Sequence, residues 1–290
     1  MPEAAYIACQ GVPGAFSHLA AKKLFPEKAV LFYSTFEAAL TAVLEQDALY
    51  AVLPVENSVA GRVADMHQLL GNMPLYVVAE HFLQVHHCLL GTRQAELEKI
   101  KIVRSHPQAL SQCRLFLKAL NVSTEAVGNT ALAAKEIAAL QQADMAAIAS
   151  ETAAELYGLK VLKADIEDFG TNTTRFWVMS RTPAAEVAPD NAVTSFLFWV
   201  KNKPAALYKC LGGFATNGID LLRLESYVDP ERFLTSAGFL VDVAAHCETP
   251  AFQRAMDELT FFSEKVKILG TYQSDPYRIE MKKKQKEMLA

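Results

Sequence analysis

Strand-length apolar runs alternate with helical patterns along most of the N-terminal half of this chain. The predicted strands lie near residues 4–9, 29–33, 50–53, 100–103, 122–126 and 145–149, and the predicted helices near residues 15–25, 35–47, 107–119, 130–142 and 150–157. Strands that alternate with helices are typical of α/β proteins. The apolar segment 75–90 is longer, and we expect it to cross between two sheet-based lobes.

The pattern changes after residues 183–191, PAAEVAPDN, which have the composition of a linker. Beyond them we predict a strand, a helix, two strands, a helix and a strand, at residues 192–200, 204–215, 218–228, 236–245, 250–262 and 265–272. This β-α-β-β-α-β order is the ferredoxin-like unit. The predicted organisation is therefore a domain at 1–182, the linker, a domain at 192–274 and a basic tail at 275–290.

Composition excludes several classes of protein. The net charge is −4, which does not indicate electrostatic binding to nucleic acid or to an anionic membrane. The five cysteines are scattered without a CxxC pair, as expected for reduced thiols. Apolar runs are too short to span a bilayer, and no leader is visible, so we expect a soluble, cytoplasmic protein.

Two glycines and a proline separate the first predicted strand from the first helix, in the segment QGVPGAFS at residues 10–17. Free N–H groups at a helix start can hold a carboxylate or a phosphate. The segment is not a GxGxxG fingerprint, and such turns are also common for structural reasons. Both interpretations stay open.

Three polar residues, Glu56, Asn57 and Ser58, follow a strand that we expect to end at Pro54. Ligands of open α/β sheets bind at the carboxyl ends of strands, so these residues are candidates for a binding site. The alternative is a loop in which Ser58 or Asn57 caps the next helix.

Ser105 follows another strand, in the segment SHPQALSQC, and we expect it to be the N-cap of the next helix. Gln112 lies two helical turns further along, so the two side chains would share one helix face. A polar pair on one face indicates a candidate edge of a substrate site.

The segment TNTTRFWVMS, residues 171–180, leads from polar residues directly into an apolar strand. Strand alternation places Arg175 and Thr174 on opposite faces. Arg175 offers a planar fork suited to a carboxylate. The alternative is that the threonines simply favour a strand and that Arg175 is a surface charge.

A cluster of histidines, His81, His86 and His87, lies beside Glu80 and Cys88. Its spacing matches no usual zinc pattern. The sequence also lacks Walker, HExxH and GxSxG motifs. We therefore expect neither a metal nor an organic cofactor.

In their order along the chain, the segments QGVPGAFSHLA, LPVENSVAGRV, SHPQALSQC and NTTRF resemble the prephenate dehydratase family, and LESY at 224–227 resembles an ACT domain. The resemblance covers nearly the whole chain. It implies a two-lobed catalytic region similar to periplasmic binding proteins, with the active site in the cleft. A ferredoxin-like βαββαβ ACT domain would follow this region.

The resemblance also assigns roles to individual residues. It implies that Thr174 is catalytic and that Glu56 and Asn57 take part in catalysis. The substrate contacts that we expect from it are Ser105, Gln112, Arg175, Ser58 and Phe176.

The implied reaction is the conversion of prephenate to phenylpyruvate, water and CO2 in phenylalanine biosynthesis, without a cofactor. An arogenate dehydratase is the alternative within the same class, because no residue distinguishes the keto from the amino side chain. A non-catalytic, two-lobed ligand-binding sensor is the alternative from a different class.

Members of this family are commonly inhibited by phenylalanine bound near a Gly-Ala-Leu helix start and a Glu-Ser-Arg-Pro strand end of the ACT domain. The corresponding segments here are 204–207, PAAL, and 225–228, ESYV. The residues that we expect to bind a regulatory amino acid are Ala206, Leu207, Glu225 and Ser226. We expect phenylalanine inhibition through an ACT interface in a homodimer or homotetramer, as an open sheet edge favours self-association.

Overall fold

The computed structural model describes residues 6–201, 203–227 and 237–289. The chain divides into two compact units, one containing Met1–Val63 and Leu83–Phe176 and the other Ala64–Phe82 and Trp177–Ala290. The strands and helices follow in this order: β1 (Tyr6–Gln10), α1 (Phe16–Leu24), β2 (Ala29–Tyr33), α2 (Phe36–Leu44), β3 (Tyr50–Asn57), β4 (Gly61–Arg62), α3 (Ala64–Leu70), β5 (Tyr76–Gln84), β6 (Cys88–Gly91), β7 (Ile102–Ser105), α4 (Pro107–Gln112), α5 (Arg114–Leu120), β8 (Ser123–Ala126), α6 (Thr130–Leu140), β9 (Met145–Ala149), α7 (Glu151–Tyr157), β10 (Lys160–Lys163), β11 (Thr173–Ser180), β12 (Ala192–Val200), α8 (Ala206–Thr216), β13 (Leu221–Tyr227), β14 (Gly238–Val243), α9 (Pro250–Phe262), β15 (Ser263–Gln273) and α10 (Pro276–Leu289).

The first sheet has the strand order β2-β1-β3-β11-β5, and the division between the two units falls within β5 and β11. β1 is parallel to both β2 and β3, with α1 and α2 as the connecting helices.

The prediction that β3 ends at Pro54 is wrong. It continues to Asn57 because β4 folds back beside it and pairs Gly61 with Asn57.

The second sheet has the strand order β10-β6-β9-β7-β8. Its central strand β9, MAAIA, is buried along its whole length. Ala147 packs with Ile137 of α6 on one face, and Ile148 packs with Leu117 of α5 on the other. A continuous apolar run is what a strand covered on both faces requires. We call residues 6–57 the first lobe and residues 88–163 the second lobe; both belong to the first unit.

The second unit contains a four-stranded antiparallel sheet with the order β13-β14-β12-β15. Helices α8 and α9 cover one face, where Phe196, Phe214 and Phe252 form the centre of an apolar core. The chain order β12-α8-β13-β14-α9-β15 is the ferredoxin-like βαββαβ unit. The predicted α/β class, with two lobes followed by this unit, is confirmed. Residues 228 and 236, which we assigned to strands, lie outside the described residues.

The basic C-terminal segment forms helix α10, which is anchored at its first turn. Arg278 donates two hydrogen bonds of 2.8 Å to the two carboxylate oxygens of Glu80, whose side chain is buried. Asp275 pairs with His81 at 2.9 Å. The domain boundaries proposed around residues 183–191 stay a prediction.

None of the helices among the described residues is both long and apolar enough to cross a membrane.

Candidate active site

Asn57 and Thr174 lie side by side on the neighbouring strands β3 and β11 of the first sheet. Asn57 Nδ2 donates a hydrogen bond of 2.9 Å to Thr174 Oγ1. Both side chains are buried. The fold therefore brings together the last residue of β3 and the second residue of β11.

The direction of this hydrogen bond is fixed by the backbone. Asn57 Oδ1 accepts hydrogen bonds from the N–H groups of Val59, at 3.1 Å, and Ala60, at 2.9 Å. The opposite end of the amide must then be the NH2 group, which is a donor only. Thr174 Oγ1 is consequently an acceptor toward Asn57, and among the described residues no group accepts its own proton. That proton is available to a ligand.

The same amide network reaches the second lobe. Asn57 Nδ2 also donates to Asn172 Oδ1 at 2.8 Å, and Asn172 Nδ2 donates to Gln112 Oε1 at 3.0 Å. Gln112 is the last residue of α4, and its side chain is buried. Three predicted site residues, Asn57, Gln112 and Thr174, therefore belong to one hydrogen-bonded group.

Ser105 does not have the position that we predicted. It is the last residue of β7, fully buried, and its hydroxyl donates to Ile148 O at 2.7 Å. The N-cap of α4 is His106, whose side chain accepts from Gln108 N, and Pro107 is the first helical residue. The N-cap prediction is wrong because proline at the first helical position starts the helix one residue later. The expected shared helix face of Ser105 and Gln112 is lost with it.

Glu56 and Arg175 form a separate pair. Arg175 is 2% exposed, and its Nη1 lies 3.7 Å from Glu56 Oε2. Strand alternation places this pair on the opposite face of the sheet from Asn57 and Thr174. The surface-charge alternative for Arg175 is wrong, because the guanidinium is buried. The pairing indicates a role in holding β3 and β11 together.

Ser58 and Phe176, the other two expected substrate contacts, have structural neighbours. Ser58 Oγ donates to Thr171 O at 2.8 Å and accepts from Thr173 N at 2.9 Å. Phe176 is 1% exposed. Ser58 thus fixes the turn that leads into β11, and Phe176 packs inside the protein.

The site contains two residues that sequence reasoning did not single out. Asn172 links Asn57 to Gln112 and is buried. His87 Nε2 lies 2.9 Å from Gln112 Oε1, and burial lowers the pKa of the imidazole below its ordinary value. Asn172 precedes the matched threonines directly, which is the signal that could have identified it. For His87, the only feature in the sequence was its position in a cluster of histidines, which is not specific for an active site.

The neighbouring His86 belongs to a cluster with two carboxylates, in which His86 and Asp165 are exposed and the Glu167 side chain is buried. Its Nδ1 lies 3.1 Å from Asp165 Oδ1 and 3.0 Å from Glu167 Oε1. One ligand atom from each of the three residues lies within 4.8 Å of the others, a donor set that a divalent metal accepts. Glu167 Oε1 contacts His86 Nδ1 at 3.0 Å and Glu167 Oε2 accepts from His87 N at 2.9 Å, so protein contacts account for the Glu167 carboxylate without a metal.

The glycine turn before α1 joins the two lobes. Gly14 adopts φ +85°, and a Cβ atom there would lie 3.1 Å from Ala153 of α7. Ser150 Oγ donates to Gly14 O at 2.9 Å, and Tyr157 OH donates to Pro13 O at 2.7 Å. This packing accounts for the glycine and favours the structural interpretation of the turn.

The residues expected to bind a regulatory amino acid lie in the second unit. Ala206 and Leu207 begin α8, and Leu207 packs against the apolar core. Glu225 and Ser226 lie in β13, where Glu225 Oε2 is 2.9 Å from Arg223 Nη2. Val228 lies outside the described residues.

Comparisons with known proteins are consistent with the motifs. The family model described as prephenate dehydratase matches residues 7–184. A Komagataeibacter europaeus protein described as a bifunctional N-acyl-homoserine lactone acylase/prephenate dehydratase is 43% identical over 273 residues, covering 94% of this chain and 97% of that protein. The chloroplastic arogenate dehydratase/prephenate dehydratase 2 of Arabidopsis thaliana is 37% identical over 277 residues, covering 93% of this chain and 73% of that protein. A crystal structure of prephenate dehydratase in complex with L-Phe from Arthrobacter aurescens has a TM-score of 0.84 and 27% identity, and the match covers 92% of this chain and 89% of that one.

Proposed function

Because this chain belongs to the prephenate dehydratase family, we propose that it converts prephenate to phenylpyruvate, water and CO2 in phenylalanine biosynthesis. The observation that carries the proposal is the Asn57–Thr174 hydrogen bond, whose direction leaves the threonine proton for the substrate.

The chemistry needs one proton donor. As the ring carboxylate leaves as CO2, its bonding electrons enter the ring and expel the hydroxyl group from the opposite ring carbon. Thr174 donates a hydrogen bond to that oxygen, and its proton passes over as the C–O bond breaks, so that water leaves. Solvent then returns a proton to the threonine oxygen. General-acid assistance of this kind is worth about 10²–10⁴ in rate, or roughly 3–5 kcal/mol.

The other residues prepare this donor. Asn57 holds Thr174 Oγ1, Asn172 holds Asn57, and Gln112 of the second lobe holds Asn172. We assign Glu56 and Arg175 to organising β3 and β11, since they pair with each other. Gln112 is our remaining candidate for a substrate contact, and Ser105 would have to exchange its bond to Ile148 to become one.

One assay tests the proposed reaction. Purified full-length protein is incubated separately with prephenate and with arogenate, and the products are identified by mass spectrometry. We expect phenylpyruvate from prephenate. Phenylalanine from arogenate alone would favour the arogenate dehydratase alternative, and no product from either substrate would favour the ligand-binding sensor.

A second activity has one specific observation in its favour. The Komagataeibacter europaeus relative is described as bifunctional, and the match covers 97% of its length. We propose testing hydrolysis of N-acyl-homoserine lactones by the same preparation. Release of the free fatty acid supports this activity, and activity that survives Thr174→Ala would place it at different residues.

We further propose that phenylalanine inhibits the enzyme through the second unit. Support comes from the ferredoxin-like unit, the retained Glu225 and Ser226, and a related structure described as a complex with L-Phe. Glu225 would pair with the ligand ammonium group. Typical coupling changes apparent affinity or kcat roughly 5- to 150-fold at saturation.

Point variants test this regulation better than a truncation near Pro189, because the truncation would remove Arg278, the partner of buried Glu80. Phenylalanine is titrated against wild type, Glu225→Ala and the exposed control Glu248→Ala. We expect inhibition of wild type and the control, with a weaker response of Glu225→Ala. Equal inhibition of all three would contradict the assigned site.

Light scattering with and without phenylalanine measures whether the chain is the homodimer or homotetramer that we expect.

A further inference from the structure

We propose that His87 is a positioning residue of the active site, whose imidazole N–H orients the Gln112 amide and thereby the donor network that ends at Thr174. The inference rests on the proposed dehydratase function and extends it to a residue outside the substrate-contact set.

The tautomer of His87 follows from the backbone. The N–H groups of Val59 and Ala60 fix Asn57 Oδ1 as an acceptor, so Asn57 Nδ2 donates to Asn172 Oδ1. Asn172 Nδ2 must then donate to Gln112 Oε1. That oxygen is therefore an acceptor, and the imidazole nitrogen 2.9 Å from it must carry a proton. His87 therefore carries a proton on Nε2.

The imidazole has no competing hydrogen bond. His87 is 2% exposed, and its Nδ1 is buried without a hydrogen-bond partner among the described residues. Burial lowers the pKa of the ring, which favours the neutral form with an unprotonated Nδ1. The ring thus offers the site a single N–H donor.

The backbone around His87 is held independently of any substrate. Its N–H donates to Glu167 Oε2 at 2.9 Å, and its carbonyl accepts from Ile166 N at 3.0 Å. Val85 N donates to Asn172 O at 2.8 Å, and the Phe16 ring meets the imidazole edge-on at 5.8 Å. These contacts fix the position of the Nε2–H group that donates to Gln112.

Loss of the His87 donor should lower kcat more than it changes substrate affinity. Gln112 Oε1 accepts from both His87 and Asn172. Removal of the imidazole donor lets the Gln112 amide rotate, which removes the Gln112 contact that holds Asn172 against Asn57. The backbone still keeps the NH2 end of Asn57 toward Thr174, but the position of that amide is held less rigidly. A charge-neutral change far from the leaving oxygen would therefore weaken proton donation to that oxygen.

Kinetic variants test the proposal in the full-length enzyme. His87→Phe keeps a ring but removes the donor, and His87→Gln returns an N–H near the Nε2 position. We expect His87→Phe to lower kcat roughly tenfold with KM changed less than about threefold, and His87→Gln to recover most of kcat. The control His246→Phe replaces a histidine in the second unit. Unchanged kcat in His87→Phe, or an equal loss in His87→Gln, would overturn the proposal.

A double variant tests whether His87 acts through Gln112. In a Gln112→Ala background, His87→Phe should cause no further loss of kcat, because the two changes break one chain of contacts. Two independent, multiplicative losses would contradict the mechanism.

A spectroscopic measurement separates this proposal from the proposed function. Nitrogen-15 NMR of the substrate-free protein, assigned with His87→Gln, should show the Nε2–H tautomer at neutral pH. An Nδ1–H tautomer would overturn the assignment whatever the enzyme's activity. Wild-type protein that shows the expected tautomer but makes no phenylpyruvate would instead refute the dehydratase function.

Discussion

The Asn57 amide donates to the Thr174 hydroxyl at 2.9 Å while its own carbonyl is held by two backbone N–H groups, so the asparagine cannot exchange its donor and acceptor ends without losing both. Asn57→Asp keeps the backbone contacts but puts a carboxylate oxygen beside Thr174. The threonine would then donate to this carboxylate oxygen instead of to the substrate.

We therefore predict that Asn57→Asp, despite its similar shape, lowers kcat by roughly two or more orders of magnitude at neutral pH. Steady-state kinetics with prephenate measure this loss. The control is Asn129→Asp, because Asn129 caps α6 through its oxygen alone and aspartate preserves that contact. An active Asn57→Asp enzyme would contradict the assigned direction of the hydrogen bond.

Glu56 should matter more for stability than for catalysis. Its partner Arg175 is buried, whereas the Glu56 side chain is 36% exposed. Glu56→Gln should lower the free energy of unfolding by about 1–3 kcal/mol, between the values for exposed and buried ion pairs. Urea unfolding measures this change, and Glu125→Gln, which affects a more exposed pair with Arg104, is the control. A large loss of kcat with unchanged stability would return Glu56 to the catalytic group.

Ala205 adopts φ 60° and ψ 18° immediately before α8, a left-handed conformation that favours glycine. We expect Ala205→Gly to raise the free energy of unfolding by about 0.5–1 kcal/mol, because relief of the strain outweighs the added freedom of the unfolded chain. Ala206→Gly, one residue later and within the helix, should lower it by about 0.5–1 kcal/mol. Denaturant unfolding of both variants provides the comparison. Destabilisation by Ala205→Gly would show that its methyl group makes a packing contact worth more than the strain.

Three partly or fully buried histidines predict the pH dependence of stability. Burial is the main cause of the lowered pKa of His18, His87 and His106, whose ordinary value is 6.5. The unfolded chain takes up protons at these sites near that value, whereas the folded chain takes them up only at lower pH. The free energy of unfolding should therefore decrease as the pH falls through and below 6.5.

Urea unfolding at about pH 7.5 and about pH 5.5 measures this decrease, and the same pair of experiments on His87→Phe isolates the contribution of one imidazole. The variant should show a smaller decrease. An equal decrease in wild type and variant would mean that His87 does not have a lowered pKa.

Much of the fold and part of the site followed from the sequence. Alternating apolar runs identified both lobes, and the β-α-β-β-α-β order identified the second unit. The order of strands and helices depends on local periodicity, which the sequence carries directly. The pairing of Asn57 and Thr174 in one site followed instead from the resemblance of their motifs to a known family, and the fold joins the two residues by a hydrogen bond.

The errors have two sources. Pro107 is a local signal that we overlooked, and with it His106 rather than Ser105 is the N-cap of α4. The other positions are decided by tertiary contacts. Buried Arg175 pairs with Glu56 of β3, which is distant along the chain, and the role of His87 depends on three amides from separate segments. No pattern along the chain specifies such partners, because their proximity exists only after folding.

The central claim is that the Thr174 hydroxyl supplies the proton for the departing oxygen. The most direct test compares kcat for wild type, Thr174→Val, which has a similar shape without the hydroxyl, and Thr174→Ser, which retains it. We predict that Thr174→Val lowers kcat by roughly two or more orders of magnitude with a much smaller change in KM, and that Thr174→Ser keeps appreciable activity. A Thr174→Val enzyme with kcat near the wild-type value would contradict the account.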